Sequence, residues 1–221
     1  ELERDAIWKR AWLNLGRVEQ LPRTGSYFTK ELAVAKTSLI VVRGMDDQIR
    51  AFHNVCRHRG NKLVWADDPH EETAGSCRQF ACKYHGWRYD LDGKLSYILQ
   101  EGEFFGIDKA KFGLVSVHCK VWNGFIFVNL AEEPSQTLTE FLGPMITAID
   151  YPFEKLTQRY YYRGDIRSNW KVFLDAFQEF YHPPILHGHQ NPVMRQADYK
   201  EKGFYTSHFQ VDGPHRVGST T

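Results

Sequence analysis

Two short segments constrain this chain more than anything else in it: Cys56-Arg-His58-Arg-Gly60 and Cys82-Lys-Tyr-His85-Gly86, with the 23 residues 59–81 lying between His58 and Cys82. Each places one thiolate and one imidazole within two or three positions, so a tight loop can aim both at one metal centre. Together they make a Cys₂His₂ set. Tetrahedral zinc accepts such a set, but zinc-finger spacing pairs Cys with Cys and His with His. Here both loops are mixed, Cys then His. That arrangement fits a [2Fe–2S] cluster in which one iron takes two Cys and the other two His. Taken singly, each residue reads as structural, since a buried Cys is usually a small hydrophobe. Two such halves, each closed by a glycine in a β context, read as ligands.

The β context runs from Ser38 to about Leu130. Ser38–Arg43 and Ile49–Val55 flank Asp46-Asp47, and Trp87–Tyr89 and Lys94–Tyr97 flank Asp92-Gly93, a strong hairpin signal. Leu114–Trp122 and Gly124–Leu130 are further strand candidates, while Ile7, Trp8, Ala11 and Leu15 suggest a helix over residues 1–15. The polar stretch Ala131-Glu-Glu-Pro-Ser-Gln-Thr137 suits a domain junction. Beyond it, Leu138, Phe141, Leu142, Met145 and Ile149 fall at helical spacing, and Arg159–Arg163 reads as a strand. Ser168 precedes a periodic helix whose apolar stripe, Trp170, Phe173, Leu174, Phe177 and Tyr181, reads as core.

Twenty-eight Lys and Arg against 27 Asp and Glu give a net charge of +1, so nothing in the charge points to nucleic acid or an anionic membrane. No apolar run approaches the roughly 20 residues of a membrane-spanning helix. Four cysteines are too few for a disulfide scaffold, and Glu1-Leu-Glu-Arg-Asp5 matches no targeting segment, so a cytoplasmic location is expected. The chain does not open with Met and reads as processed or incomplete. Aromatics at 14% suit bulky cores or an aromatic-lined pocket. Between residues 50 and 90 the basic side chains Arg50, Arg57, Arg59, Lys62, Arg78, Lys83 and Arg88 form a candidate rim for docking an acidic ferredoxin or reductase.

Cys56-Arg-His58-Arg-Gly60 and Cys82-Lys-Tyr-His85-Gly-Trp87-Arg-Tyr89 resemble the Rieske motif of ring-hydroxylating oxygenase α subunits, as do the flanks Ala51–Val55 and Leu91–Leu95. The spacer is longer than that family's usual one, with the excess placed in Asp67–Gly75. Cys77 lies in the same loop, but Gln79 after it cannot stand in for a His, so Cys77 is not counted as a ligand.

A second constellation follows the periodic helix: Glu179-Phe-Tyr-His182-Pro-Pro-Ile-Leu-His187. Pro183 disfavours helical geometry just before it, so the helix should end near His182 and His187 return from a new turn. Two imidazoles and a carboxylate on one face of an iron leave positions for O₂ and substrate, as in non-haem Fe(II) oxygenases. By itself His-x₄-His is a weak signal that reads first as a pair of ordinary surface histidines. With Asn169-Trp-Lys171 upstream, the stretch resembles the mononuclear-iron motif of the same family. That resemblance makes His182 and His187 iron ligands. It makes Glu179 the acidic residue linking the iron to a neighbouring subunit's Rieske His, which implies a homotrimer or an α3β3 assembly. His189, after Gly188, reads as a loop residue. The family's third ligand is an Asp farther downstream. Neither Asp198 nor Asp212 shows the required local pattern, and that ligand is placed outside this chain.

The resemblance implies an α+β chain. Residues 1–37 are read as an N-terminal segment packing on the catalytic domain, 38–131 as an all-β Rieske domain, and 132–221 as part of a helix-grip-like catalytic domain. It implies an oxygenase with a [2Fe–2S] cluster and an Fe(II), fed by NAD(P)H through a ferredoxin or reductase, that hydroxylates a small apolar substrate, an aromatic or alicyclic ring, with O₂. The rival readings are an oxidative demethylase of the same family, a Rieske ferredoxin-like electron carrier, and a zinc-stabilised binding module.

Overall fold

The computed structural model describes residues 1–68, 71–148, 151–156, 164–177, 182–189 and 208–219. The chain divides into two compact units: Glu1–Leu138 with Pro152–Thr157, and Thr139–Tyr151 with Gln158–Thr221.

The first unit is built on ten strands: β1 (Leu13–Arg17), β2 (Ser26–Leu32), β3 (Thr37–Arg43), β4 (Ile49–His53), β5 (Ala74–Ser76), β6 (Phe80–Ala81), β7 (Arg88–Tyr89), β8 (Leu95–Tyr97), β9 (Ser116–Trp122) and β10 (Phe125–Asn129). Seven of them form one antiparallel sheet in the order β1-β10-β9-β4-β3-β2-β5, and β6-β7-β8 form a second, small one. Central strand β3 explains the layering. Its run Leu39-Ile-Val-Val42 is fully buried, and period-2 alternation sends Leu39 and Val41 to one core and Ile40 and Val42 to the other. The first core joins the sheet through Phe28, Ala51, Val117, Ile126 and Val128. The second lies between Ile40, Val42 and Phe52 and the small sheet, and it contains Cys56, Cys82, Trp87 and Tyr89.

The hairpins fall where the turn residues place them. Asp47 takes a positive φ of 64° in the β3–β4 turn, and Gly93 (φ 89°) turns β7 into β8 while the Asp92 side chain accepts from Lys94 N–H. The start of the chain differs from the sequence reading. Residues 1–15 are not one helix: a five-residue π-helical turn, Arg4–Trp8, precedes strand β1. The β module also begins before Ser38, because β1 pairs with β10 and β2 with β3. Backbone pairing and the burial of Leu15 and Phe28 hold them in the sheet. Within the long spacer, Ala74–Ser76 form edge strand β5, which pairs Ser26↔Ser76 through Phe28↔Ala74 beside β2.

Residues Phe153–Lys155 sit with the first unit because Arg17 clamps them. Its Nη2 donates to the Phe153 and Leu156 carbonyls at 2.7 and 3.1 Å, and its guanidinium lies 4.5 Å from the Phe125 ring centroid.

In the second unit, α1 (Leu138–Leu142, whose first residue belongs to the other unit) and α2 (Met145–Ala148) are short, and β11 (His208–Asp212) pairs with β12 (His215–Ser219). His215 Nε2 lies 2.6 Å from the Phe141 carbonyl. Helix α3 (Trp170–Asp175) is capped by Asn169, whose side chain accepts from Lys171 N–H at 3.0 Å. The stripe expected to be core is open to solvent, with Phe173, Leu174 and Phe177 43%, 41% and 72% exposed. The expected strand Arg159–Arg163 and Tyr181 lie outside the described residues. Among the described residues no helix is long and apolar enough to cross a membrane.

Candidate metal centres

The two Cys/His loops have the same backbone. Gly60 N–H donates to the Cys56 carbonyl at 3.0 Å and Gly86 N–H to the Cys82 carbonyl at 2.9 Å; Cys56 N–H donates to the Asn61 carbonyl and Cys82 N–H to the Trp87 carbonyl, both at 2.8 Å. Gly60 and Gly86 have φ of 73° and 71°, the left-handed conformation that closes each turn and that a side chain disfavours. His stands two residues after Cys in one loop and three after it in the other, yet the glycine stands four after it in both.

The loops face each other. Cys56 and Cys82 are 2% and 4% exposed and close enough for their thiols to interact. The His58 and His85 rings are 4.7 Å apart at their centroids and half-buried, toward solvent. All four cysteines are free thiols. Among the described residues no three His, Cys, Asp or Glu side chains gather as a single ion requires. A sulfur pair inside and an imidazole pair outside match instead a binuclear cluster, whose irons each take only two protein ligands.

Electrostatics agrees with that fit. Burial pushes the Cys56 thiol up, partly offset by the Tyr89 hydroxyl, so buried thiolates here need a positive centre between them. Burial, with His85 and Arg59 nearby, holds His58 below the usual imidazole value, which favours the neutral form that binds metal. Cys77, outside the loops, is pushed up to about 11 by burial, and Cys119 to about 12 for the same reason.

Four further residues hold the loops in place. Tyr89 accepts from Arg57 N–H at 3.0 Å, which directs its own hydroxyl at Cys56 Sγ, 3.2 Å away. Buried Trp87 stacks on His58, with centroids 4.7 Å apart and planes 11° apart, and Phe104 and Phe112 meet the indole edge-on. Asn61 Nδ2 donates to the Lys62 carbonyl at 2.7 Å and reaches Cys82 Sγ at 3.8 Å. Fully buried Asn54 takes the N–H groups of Leu63 and Val64 on Oδ1 and donates to the Val64 carbonyl and Ser38 Oγ. Trp87 and Tyr89 stood in the motif that carried the resemblance, but none of the four was given a role from sequence, although an Asn inside the apolar strand segment Ala51–Val55 was a usable signal. Asn54→Ala takes the side-chain partner from one buried and two part-buried backbone groups, at a cost of about 3 kcal/mol. Thermal unfolding of the variant should show the Tm lowered by roughly 10 °C.

Two members of the basic rim are held internally, Arg50 by Asp46 and Lys62 by Glu31. Arg57, Arg59, Arg78, Lys83 and Arg88 are exposed, with Lys83 over the Trp65 ring and Arg88 over the Tyr97 ring.

In the second unit the helical turn Pro183–Leu186 (α4) starts from His182, whose carbonyl accepts from Ile185 and Leu186 N–H. That turn returns His187 toward His182, and their rings lie 5.3 Å apart at 69°. His189 is exposed. Glu179 lies outside the described residues.

Residues 11–109 match the family described as "Rieske [2Fe-2S] domain", and residues 153–221 the family described as "Ring hydroxylating alpha subunit (catalytic domain)". The glycine betaine monooxygenase oxygenase subunit of Chromohalobacter salexigens is 36% identical over 186 residues, covering 82% of this chain and 39% of its own length. The biphenyl dioxygenase subunit alpha of Paraburkholderia xenovorans is 30% identical over 196 residues, covering 82% and 41%. A solved quaternary ammonium Rieske monooxygenase superposes with a TM-score of 0.74 at 26% identity, over 84% of this chain and 49% of that one. Naphthalene 1,2-dioxygenase with indole bound gives 0.72 at 28%, over 92% and 43%. The chain spans about two fifths of the length of these two curated relatives.

Proposed function

The chain belongs to the Rieske oxygenase α-subunit family, and from that premise we propose that the whole protein is the oxygenase component of a multicomponent system. Cys56 and Cys82 would hold one iron of the cluster, His58 and His85 the other, and His182 and His187 a separate ferrous ion. When bound, these groups supply single-electron transfer and dioxygen activation. The observation that carries the reading is the pair of matching loops with both thiols turned inward and both imidazoles outward.

The protein's own part is positional. Trp87 fixes the plane of His58, and the Tyr89 hydroxyl offsets charge on Cys56. The outward imidazoles give an electron a short way in or out, beside the exposed cations Arg57, Arg59 and Lys83. An acidic ferredoxin or reductase charged by NAD(P)H is the partner this surface suits. Glu179, three residues before His182, is assigned the ionisable link to a neighbouring copy's Rieske histidine in a trimer.

Two substrate readings follow. Ring hydroxylation is supported by the likeness to biphenyl and naphthalene dioxygenases. The likeness to glycine betaine and carnitine monooxygenases supports instead a quaternary ammonium substrate, for which oxidative demethylation is the second reading. Oxygen uptake with a reductase and NADH, run with glycine betaine, carnitine, biphenyl and naphthalene, tests both. Formaldehyde released in step with oxygen marks demethylation, and a hydroxylated ring marks the other. Reduction of the cluster without oxygen uptake on any C–H substrate would leave the electron-carrier reading in their place.

A further inference from the structure

The matching loops place corresponding residues in cross-loop contact. The residue five after each cysteine touches a candidate ligand of the opposite loop: Trp87 lies on His58, and Asn61 reaches Cys82. The Asn61 amide is aimed. One of its hydrogens goes to the Lys62 carbonyl at 2.7 Å, which fixes the NH₂ side of the group and leaves the second hydrogen for Cys82 Sγ at 3.8 Å. Its backbone is held as well, since the Asn61 carbonyl accepts from Cys56 N–H and Asn54 pins the next residues, Leu63 and Val64. An amide so constrained cannot swing away when charge builds on the sulfur.

We propose that Asn61 is a tuning residue for the cluster, raising its reduction potential by donating an amide N–H to the Cys82 thiolate. The proposal rests on the ligand assignment made above. One-electron reduction makes the cluster more negative, and a donor on a ligand sulfur stabilises the reduced form more than the oxidised one. Tyr89 does the same for the other sulfur, so each candidate thiolate receives one side-chain donor, and Asn61 supplies its donor from the opposite loop.

The test is a dithionite titration of the cluster-loaded full chain with redox dyes, followed by visible absorption and electron paramagnetic resonance. In Asn61→Leu, the ratio of reduced to oxidised cluster at the unsubstituted protein's midpoint should fall about tenfold, which for a one-electron couple is about 59 mV. Asn61→Asp, which keeps the shape but sets a carboxylate beside the sulfur, should fall further. Full cluster loading with an unchanged midpoint in Asn61→Leu would overturn the proposal. Loss of the cluster from both variants would also overturn it, in favour of a purely architectural role. If the unsubstituted chain itself carries no Rieske spectrum, the ligand assignment fails, and this proposal with it.

Discussion

Cys82→Ser is expected to strip the protein of its cluster. Acid-labile sulfide should fall from about two per chain to near zero, and cluster iron with it. The reason lies in the pairing. On the proposed assignment one iron would draw both of its protein ligands from Cys56 and Cys82, and these sit inside a core where only 2% and 4% of each is exposed. A serine hydroxyl ionises far less readily than a thiol and is a poor substitute for the thiolate at a buried cluster iron. The loop itself should survive, because its turn is closed by the Gly86 N–H bond to the residue-82 carbonyl and by that residue's N–H to Trp87. Far-ultraviolet circular dichroism should therefore stay close to that of the unsubstituted protein while visible absorption is lost. Retention of a full complement of sulfide and iron in this variant would remove Cys82 from the ligand set.

The second large effect is expected at His182. Its ring lies 5.3 Å from that of His187, across a single helical turn. On the proposed assignment neither imidazole could be spared, since the described residues would contribute only these two ligands. In His182→Ala, iron should fall from about three to about two per chain with sulfide unchanged. Substrate-coupled oxygen uptake should drop by at least about 100-fold, since loss of even an outer-shell partner costs up to that much. The rate of cluster reduction should be the same as before, which separates this outcome from general damage. His189→Ala, two residues beyond His187 and exposed, serves as the comparison and should keep all its iron. Iron loss from the His189 variant, with His182→Ala fully loaded, would exchange the assignments.

Partner binding offers a smaller effect that salt reveals. If the exposed Arg57, Arg59 and Lys83 steer an acidic electron donor, the rate of cluster reduction should decline steeply as ionic strength rises through the range where the screening length falls below about 10 Å. A flat salt profile would assign donor docking to another surface.

Much of the first unit was legible because its signals are local. A turn such as Asp92-Gly93 and the alternation along Leu39–Val42 are encoded in adjacent residues, and so are the two Cys/His spacings. The segment Pro183–Leu186 was legible for the same reason: Pro183 restricts its neighbour, and one turn separates the two histidines. Where the sequence reading departed from the structure, the deciding partner was remote. Ile7, Trp8, Ala11 and Leu15 have enough helical periodicity to mislead, but Leu13–Arg17 pairs as a strand with residues 125–128, over 100 positions away. The apolar face of Trp170–Phe177 was read as core from its spacing, and spacing cannot report what covers a face.

The chain's covalent order alone specified which atoms could bind metal, since thiolate and imidazole chemistry and short-range turn geometry need no distant neighbour. It could not specify that Asn54, Asn61, Trp87 and Tyr89 serve those atoms. Their contacts span loops up to 33 residues apart, as in Tyr89 on Cys56. Hydrogen bonds and ring stacking act only over a few ångströms, and packing of the two cores is what brings such residues within that range.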